Sequence, residues 1–98
     1  NHYKTLFGGS AFKIMDEVAF ICATRFTREK MVTVSSAKVD FDKPIPAGTI
    51  AEFKAVIIEE GNTSVKVKVD VYVEEMYADG RDKAVSGTFT LVNVSDHE

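Results

Sequence analysis

The sequence predicts an α+β domain, one long helix packed against an antiparallel sheet, and three observations carry that expectation. From about Ala11 to Phe26 the apolar residues recur at helical spacing. After Thr27-Arg28-Glu29-Lys30 the period drops to two and stays there. From Thr63 to Met76 five valines at alternate positions share one face, opposite Lys66, Lys68, Asp70, Tyr72 and Glu74.

The chain has 98 residues, which suits a single domain with a modest core that oligomerisation would help to stabilise. Asn1 to Phe7 read as an irregular lead-in, and Gly8-Gly9-Ser10 precede the helix. Phe12, Met15, Ala19, Cys22 and Phe26 repeat along that helix, with Ile14, Val18 and Ile21 beside them. So broad an apolar arc predicts a helix largely wrapped by protein. Met31 to Phe41 reads as the first strand. Val32 and Val34 share one parity and Ala37, Val39 and Phe41 the other, so a β-bulge is expected at Ser35-Ser36. Asp42 to Gly48 holds two prolines and a glycine and is a loop. Thr49 to Glu59 is the second strand, Glu60-Gly61-Asn62 a turn, Thr63 to Met76 the third strand, Ala78 to Arg81 a turn, and Lys83 to Val94 the fourth. The valine face of the third strand should cover the helix. The far side of such a two-layer domain stays partly open and an edge strand stays exposed, which a dimer continuing the sheet would remedy.

A net charge of −3 argues against a nucleic-acid partner. No stretch is long and apolar enough to span a membrane. Cys22 is the single cysteine, so no disulfide forms within the chain; this fits a reducing compartment, and the cytoplasm is the expected location. His2 and His97 lie near the ends without acidic or cysteine partners at ligand spacing, so no metal site is expected. Cys22 falls in the apolar arc and reads as core filler. No serine sits in a nucleophile elbow, and the glycine pair is not a phosphate loop.

One residue is out of place. On a helical wheel Ser10, Lys13, Glu17 and Thr24 form a polar stripe, and Asp16 lies off it, among Gly9, Phe12, Phe20 and Ala23. The residues alone leave two readings open: a boundary aspartate that reaches water, or a general base or nucleophile aimed into a cleft. Gly8 and Gly9, placed at the helix start, would offer backbone N–H groups that lack intrahelical partners, an arrangement suited to a developing oxyanion.

Asn1-His2-Tyr3-Lys4-Thr5-Leu6-Phe7-Gly8-Gly9 followed by Met15-Asp16-Glu17 closely resembles the signature of hotdog-fold acyl-CoA thioesterases of the cytosolic acyl-CoA hydrolase type. Val32 to Ser35, Phe41 to Gly48, Gly61 to Ser64 and Thr88 to Val92 continue the resemblance in register over nearly the whole chain. The resemblance implies a hotdog fold, an antiparallel sheet wrapped around one long central helix, spanning residues 1–98 as a single domain that lacks the family's N-terminal strand. It implies hydrolysis of acyl-CoA to fatty acid and CoA, with Asp16 as base or nucleophile. Asn1 would place the water or the thioester, Gly8 and Gly9 would polarise the carbonyl, and Thr33 would face the site from the partner subunit. Homodimers are implied, often assembled into trimers of dimers. Coenzyme A enters as part of the substrate, and no separate cofactor is expected. CoA phosphates call for basic groups at the entrance, for which Lys43, Lys66, Lys68 and Arg25 are candidates. Thr63 and Ser64 would bind the pantetheine or the phosphate, or simply form a turn. Lys4 and Thr49 depart from the family's usual glycine and acid, the latter affecting only the loop. Two rival functions remain at this point. A hydratase would want a mid-chain histidine, and none is present. A non-catalytic acyl-CoA sensor or dimerisation module would not require Asp16 and Asn1 together.

Overall fold

The computed structural model describes residues 2–46 and 48–94, including the side chains of all these except 2–9 and 38. Helix α1 (His2–Thr27) is followed by β1 (Met31–Phe41), β2 (Thr49–Glu60), β3 (Ser64–Glu75) and β4 (Asp82–Asn93). All pairings are antiparallel, in the order β1-β4-β3-β2, with α1 packed across all four strands. The α+β hotdog layout expected from sequence is the one observed, with strand limits within a residue or two.

The helix meets the sheet through Ala11, Met15, Ala19 and Ala23, all fully buried. Steps of four keep these side chains on one row. Three of them are alanines, so the backbone can approach the strands closely. Val65, Val67, Val69 and Val71 of β3 and Val85, Phe89 and Leu91 of β4 form the opposing surface. Ile45, in the loop that crosses from β1 at one sheet edge to β2 at the other, closes the end of the core. The same loop is tied down by the N–H groups of Asp42 and Lys43, which both donate to the Ala84 carbonyl (2.8 and 3.1 Å). Thr49 Oγ1 donates to the Pro46 carbonyl at 2.7 Å, so this departure from the family pattern acts within the loop. The helix ends where Arg28 turns left-handed (φ 58°) and its N–H bonds the Thr24 carbonyl at 2.6 Å, the usual way a C-terminus closes its last turn.

Three expectations are corrected. The helix runs from His2, so His2–Phe7 is helical rather than an irregular lead-in, and Gly8 and Gly9 are not at the helix start. Glycines weaken a helix by about 1 kcal/mol each but do not stop one, and the flanking residues include no proline. The broad apolar arc is buried only along one row: Phe12, Ile14, Phe20, Ile21 and Phe26 remain exposed. A single sheet covers one side of a helix, so wrapping is incomplete within one chain. The β1 irregularity lies one residue earlier than expected, between Thr33 and Ser35, and a second follows between Ala37 and Asp40. Among the described residues, no helix is long and apolar enough to cross a membrane.

Candidate active site

Beside the buried row of α1 runs a second row of four-residue steps, Phe12, Asp16 and Phe20. This row faces β1 and β4. Phe12 packs on Phe89 of β4, with ring centroids 5.8 Å apart and planes tilted by 42°. One turn further on, Asp16 meets Thr33 of β1: the threonine hydroxyl donates to Asp16 Oδ1 at 2.9 Å. The carboxylate is partly buried, with an aromatic residue one turn away on each side.

Thr33 was expected to reach the site from a partner subunit, and here the structure differs. Only Arg28, Glu29 and Lys30 separate helix from strand, so β1 folds straight back along α1 and brings its own Thr33 over Asp16. The bulge after Thr33 matters to this placement. Thr33 lies opposite Leu91, a core residue, and therefore points toward the helix; beyond the extra residue Ser36 takes the position opposite Phe89.

Gly8 and Gly9 do not supply free amides. Residues seven and eight of a helix give their N–H groups to the carbonyls four positions back, here Lys4 and Thr5. Asn1 lies outside the described residues.

The expected CoA contacts are scattered. Thr63 and Ser64 line a cleft of about 270 Å³ at the C-terminal end of α1, together with Phe26, Glu29, Glu60 and Asn93. Asn93 Nδ2 donates to Glu29 Oε1 across it. Lys43 sits at the opposite end, paired with Asp82 at 3.3 Å, beside a larger cleft of about 580 Å³. The register puts about 30 Å of strand between the two ends. Lys66 and Lys68 extend from the sheet face turned away from the helix, Lys66 paired with Glu59 at 3.6 Å. Arg25 lies on the other flank of α1, in a shallow cleft with Val18, Ile21, Cys22 and Ala55 of β2. Burial pushes the Cys22 thiol pKa up, against the opposing pull of the Arg25 charge. Among the described residues, no three His, Cys, Asp or Glu side chains converge to hold a metal.

A model of the thioesterase superfamily matches residues 3–78. The chain belongs to the thioesterase superfamily. Among curated relatives, protein VdlD of Helicobacter pylori is 34% identical over 96 residues, which are 98% of this chain and 55% of VdlD. Among solved structures, an acyl-CoA hydrolase from Staphylococcus aureus, determined with butyryl coenzyme A, coenzyme A and coenzyme A disulfide, superposes with TM-score 0.89 at 33% identity. That match covers 98% of this chain and 58% of that one. A hexameric thioesterase from Yersinia pestis gives TM-score 0.82 at 29% identity, covering 91% of this chain and 72% of its own. This thioesterase-superfamily chain spans just over half the length of VdlD and of an acyl-CoA thioester hydrolase relative from Bacillus subtilis. Further structures of the S. aureus hydrolase carry alanine in place of an asparagine, an aspartate and a threonine, the three positions separated by 15 and 17 residues. Asn1, Asp16 and Thr33 stand at the same two intervals in this superfamily member.

Proposed function

We propose that this chain is the catalytic unit of an acyl-CoA thioesterase, hydrolysing acyl-CoA to a fatty acid and CoA through Asp16. The observation that carries the proposal is the Thr33–Asp16 hydrogen bond, which fixes a carboxylate between two aromatic residues on an otherwise apolar helix flank. The butyryl coenzyme A complex of the S. aureus relative supports the substrate class, and the shared asparagine–aspartate–threonine spacing supports the residues.

With Oδ1 accepting from Thr33, Oδ2 is the oxygen that acts. As general base it takes a proton from water while the water oxygen bonds to the thioester carbonyl carbon. The tetrahedral intermediate then collapses, the C–S bond breaks, and the thiolate leaves to be protonated as CoA. In the nucleophilic variant Asp16 itself bonds to that carbon and expels the thiolate, and water then hydrolyses the mixed anhydride. Thiolate is a good leaving group, so a carboxylate and an oriented donor suffice without a triad or a metal. Asn1 places the water or the thioester in this reading. Gly8 and Gly9 are not retained as oxyanion donors, because their amides are engaged within the helix.

The cleft at Thr63 and Ser64 suits the neutral pantetheine arm rather than phosphate, since Glu29 and Glu60 also line it. From Asp16 to Phe26, at the mouth of that cleft, the helix rises about 15 Å, within reach of an extended pantetheine arm. Lys43, about 30 Å away at the opposite end of the sheet, would touch a CoA phosphate only from a neighbouring subunit. β1 is an open sheet edge beside Thr33, with Val32 and Val34 exposed on it, so a homodimer formed there places the site at the subunit interface. Trimers of dimers are the assembly this implies, in keeping with the hexameric Y. pestis relative.

The test is release of free CoA thiol from acyl-CoAs of increasing chain length, comparing wild type with Asp16→Asn. Turnover that collapses in the variant supports the proposal. Near-normal turnover in Asp16→Asn removes Asp16 from the mechanism, and acyl-CoA binding without any turnover by wild type identifies a sensor.

A further inference from the structure

Phe12 and Phe20 flank Asp16 one turn before and one turn after it, and 38% and 45% of their respective surfaces are exposed. The core does not account for them: the helix is seated by Ala11, Met15, Ala19 and Ala23, the adjacent row. Their surroundings differ. Phe12 rests on Phe89, which is fully buried, so its ring is backed by core and cannot retreat into the protein. Phe20 lies on the other side of the carboxylate, between Asp16 and the helix end where Phe26 lines the cleft with Thr63 and Ser64.

Taking the thioester at Asp16 and the pantetheine arm in that cleft, as proposed above, a linear substrate is polarised along the helix. Its CoA half runs past Phe20 toward Phe26. Its acyl half leaves Asp16 in the opposite direction and meets Phe12. We infer that Phe12 is the acyl-chain specificity residue of this site. Its backed ring sets how many carbons beyond the thioester the site accepts, while Phe20 contacts the CoA side and does not read the acyl group. The substrates favoured by the native ring are short acyl-CoAs, whose few carbons end at the Phe12–Phe89 pair.

The inference is tested with butyryl-, hexanoyl- and decanoyl-CoA for wild type, Phe12→Ala, Phe12→Leu and Phe20→Ala. Both kcat/KM and the Kd of the corresponding non-hydrolysable thioethers are measured. Removing the Phe12 ring should raise the decanoyl-to-butyryl ratio about tenfold, what two or so newly buried methylenes are worth. Phe12→Leu, which keeps an apolar contact on Phe89, should shift the ratio in the same direction by less and guards against a folding defect in Phe12→Ala. Phe20→Ala should weaken all three esters by one common factor. A ratio unchanged in both Phe12 variants overturns the inference, as does a ratio that moves in Phe20→Ala instead. So does a Phe12 variant that changes subunit number alone, which would show a second copy seated on the ring. If wild type binds the thioethers but hydrolyses none of the esters, the thioesterase reading fails while the shift in Kd ratio still decides the role of Phe12.

Discussion

The Thr33 hydroxyl donates to Oδ1 of Asp16 at 2.9 Å, joining the middle of the helix to the strand that follows it. A hydroxyl in this position orients the carboxylate without competing for the oxygen that reacts. If the bond serves catalysis, its removal should appear in kcat. A hydrogen bond to a charged group is worth about 1.5–3 kcal/mol. Thr33→Val should therefore lower kcat roughly ten- to a hundredfold, whereas Thr33→Ser, which keeps the donor, should retain most of it. Equal activity in both variants would leave the bond a packing detail.

Asp16→Asn keeps the shape and removes the base. Turnover should fall by roughly two to four orders of magnitude, the usual range for a general acid or base. The far-ultraviolet spectrum and thermal midpoint should stay close to wild type, because the side chain is only partly buried.

Gly87 on β4 lies beside the second irregularity of β1, between Ala37 and Asp40. A Cβ added there would stand 2.9 Å from Val39 Cγ2 and 3.4 Å from Met15 Cε. Gly87→Ala is expected to cost about 1–3 kcal/mol through overpacking, read as a lowered urea midpoint with unchanged m-value. A midpoint equal to wild type would mean that Val39 and Met15 adjust freely.

Met15 is the one large side chain in the fully buried helix row, between Ala11 and Ala19. Its neighbours are too small to fill the space it would leave. Met15→Ala should destabilise by about 2–5 kcal/mol. A loss below 1 kcal/mol would show the helix settling onto the sheet.

The Cys22 thiol has its pKa raised by burial, with Arg25 opposing. A raised pKa in the folded state means less thiolate at any given pH, so alkylation by iodoacetamide near pH 8 should be slower than for free cysteine and should accelerate on unfolding. Because the folded state holds the proton more tightly, this group makes stability fall as pH rises above the unfolded thiol's pKa. Folded-state reactivity matching a free thiol would contradict the burial.

Periodicity alone determined most of the architecture. The valine alternation of β3, the turn residues at Gly61 and Gly80, and the helical run ending near Thr27 are local patterns. Local patterns survive in sequence because one buried face forces a fixed period. Asp16 was legible for the same reason, as an acid displaced from the polar stripe of its helix. Three things were decided by tertiary structure. Whether the helix begins before or after Gly8-Gly9 is a balance of about 1 kcal/mol per glycine, too small for sequence to settle, and it removed those amides from the site. Whether Thr33 serves its own chain depends on how three linking residues fold β1 back over α1 and on a bulge one position from where parity placed it. The dispersal of Lys43, Lys66, Thr63 and Ser64 over two ends and the far face follows from strand order. Sequence spacing carries no information about it, because residues brought together in space by antiparallel pairing are held by contacts between strands, not along them.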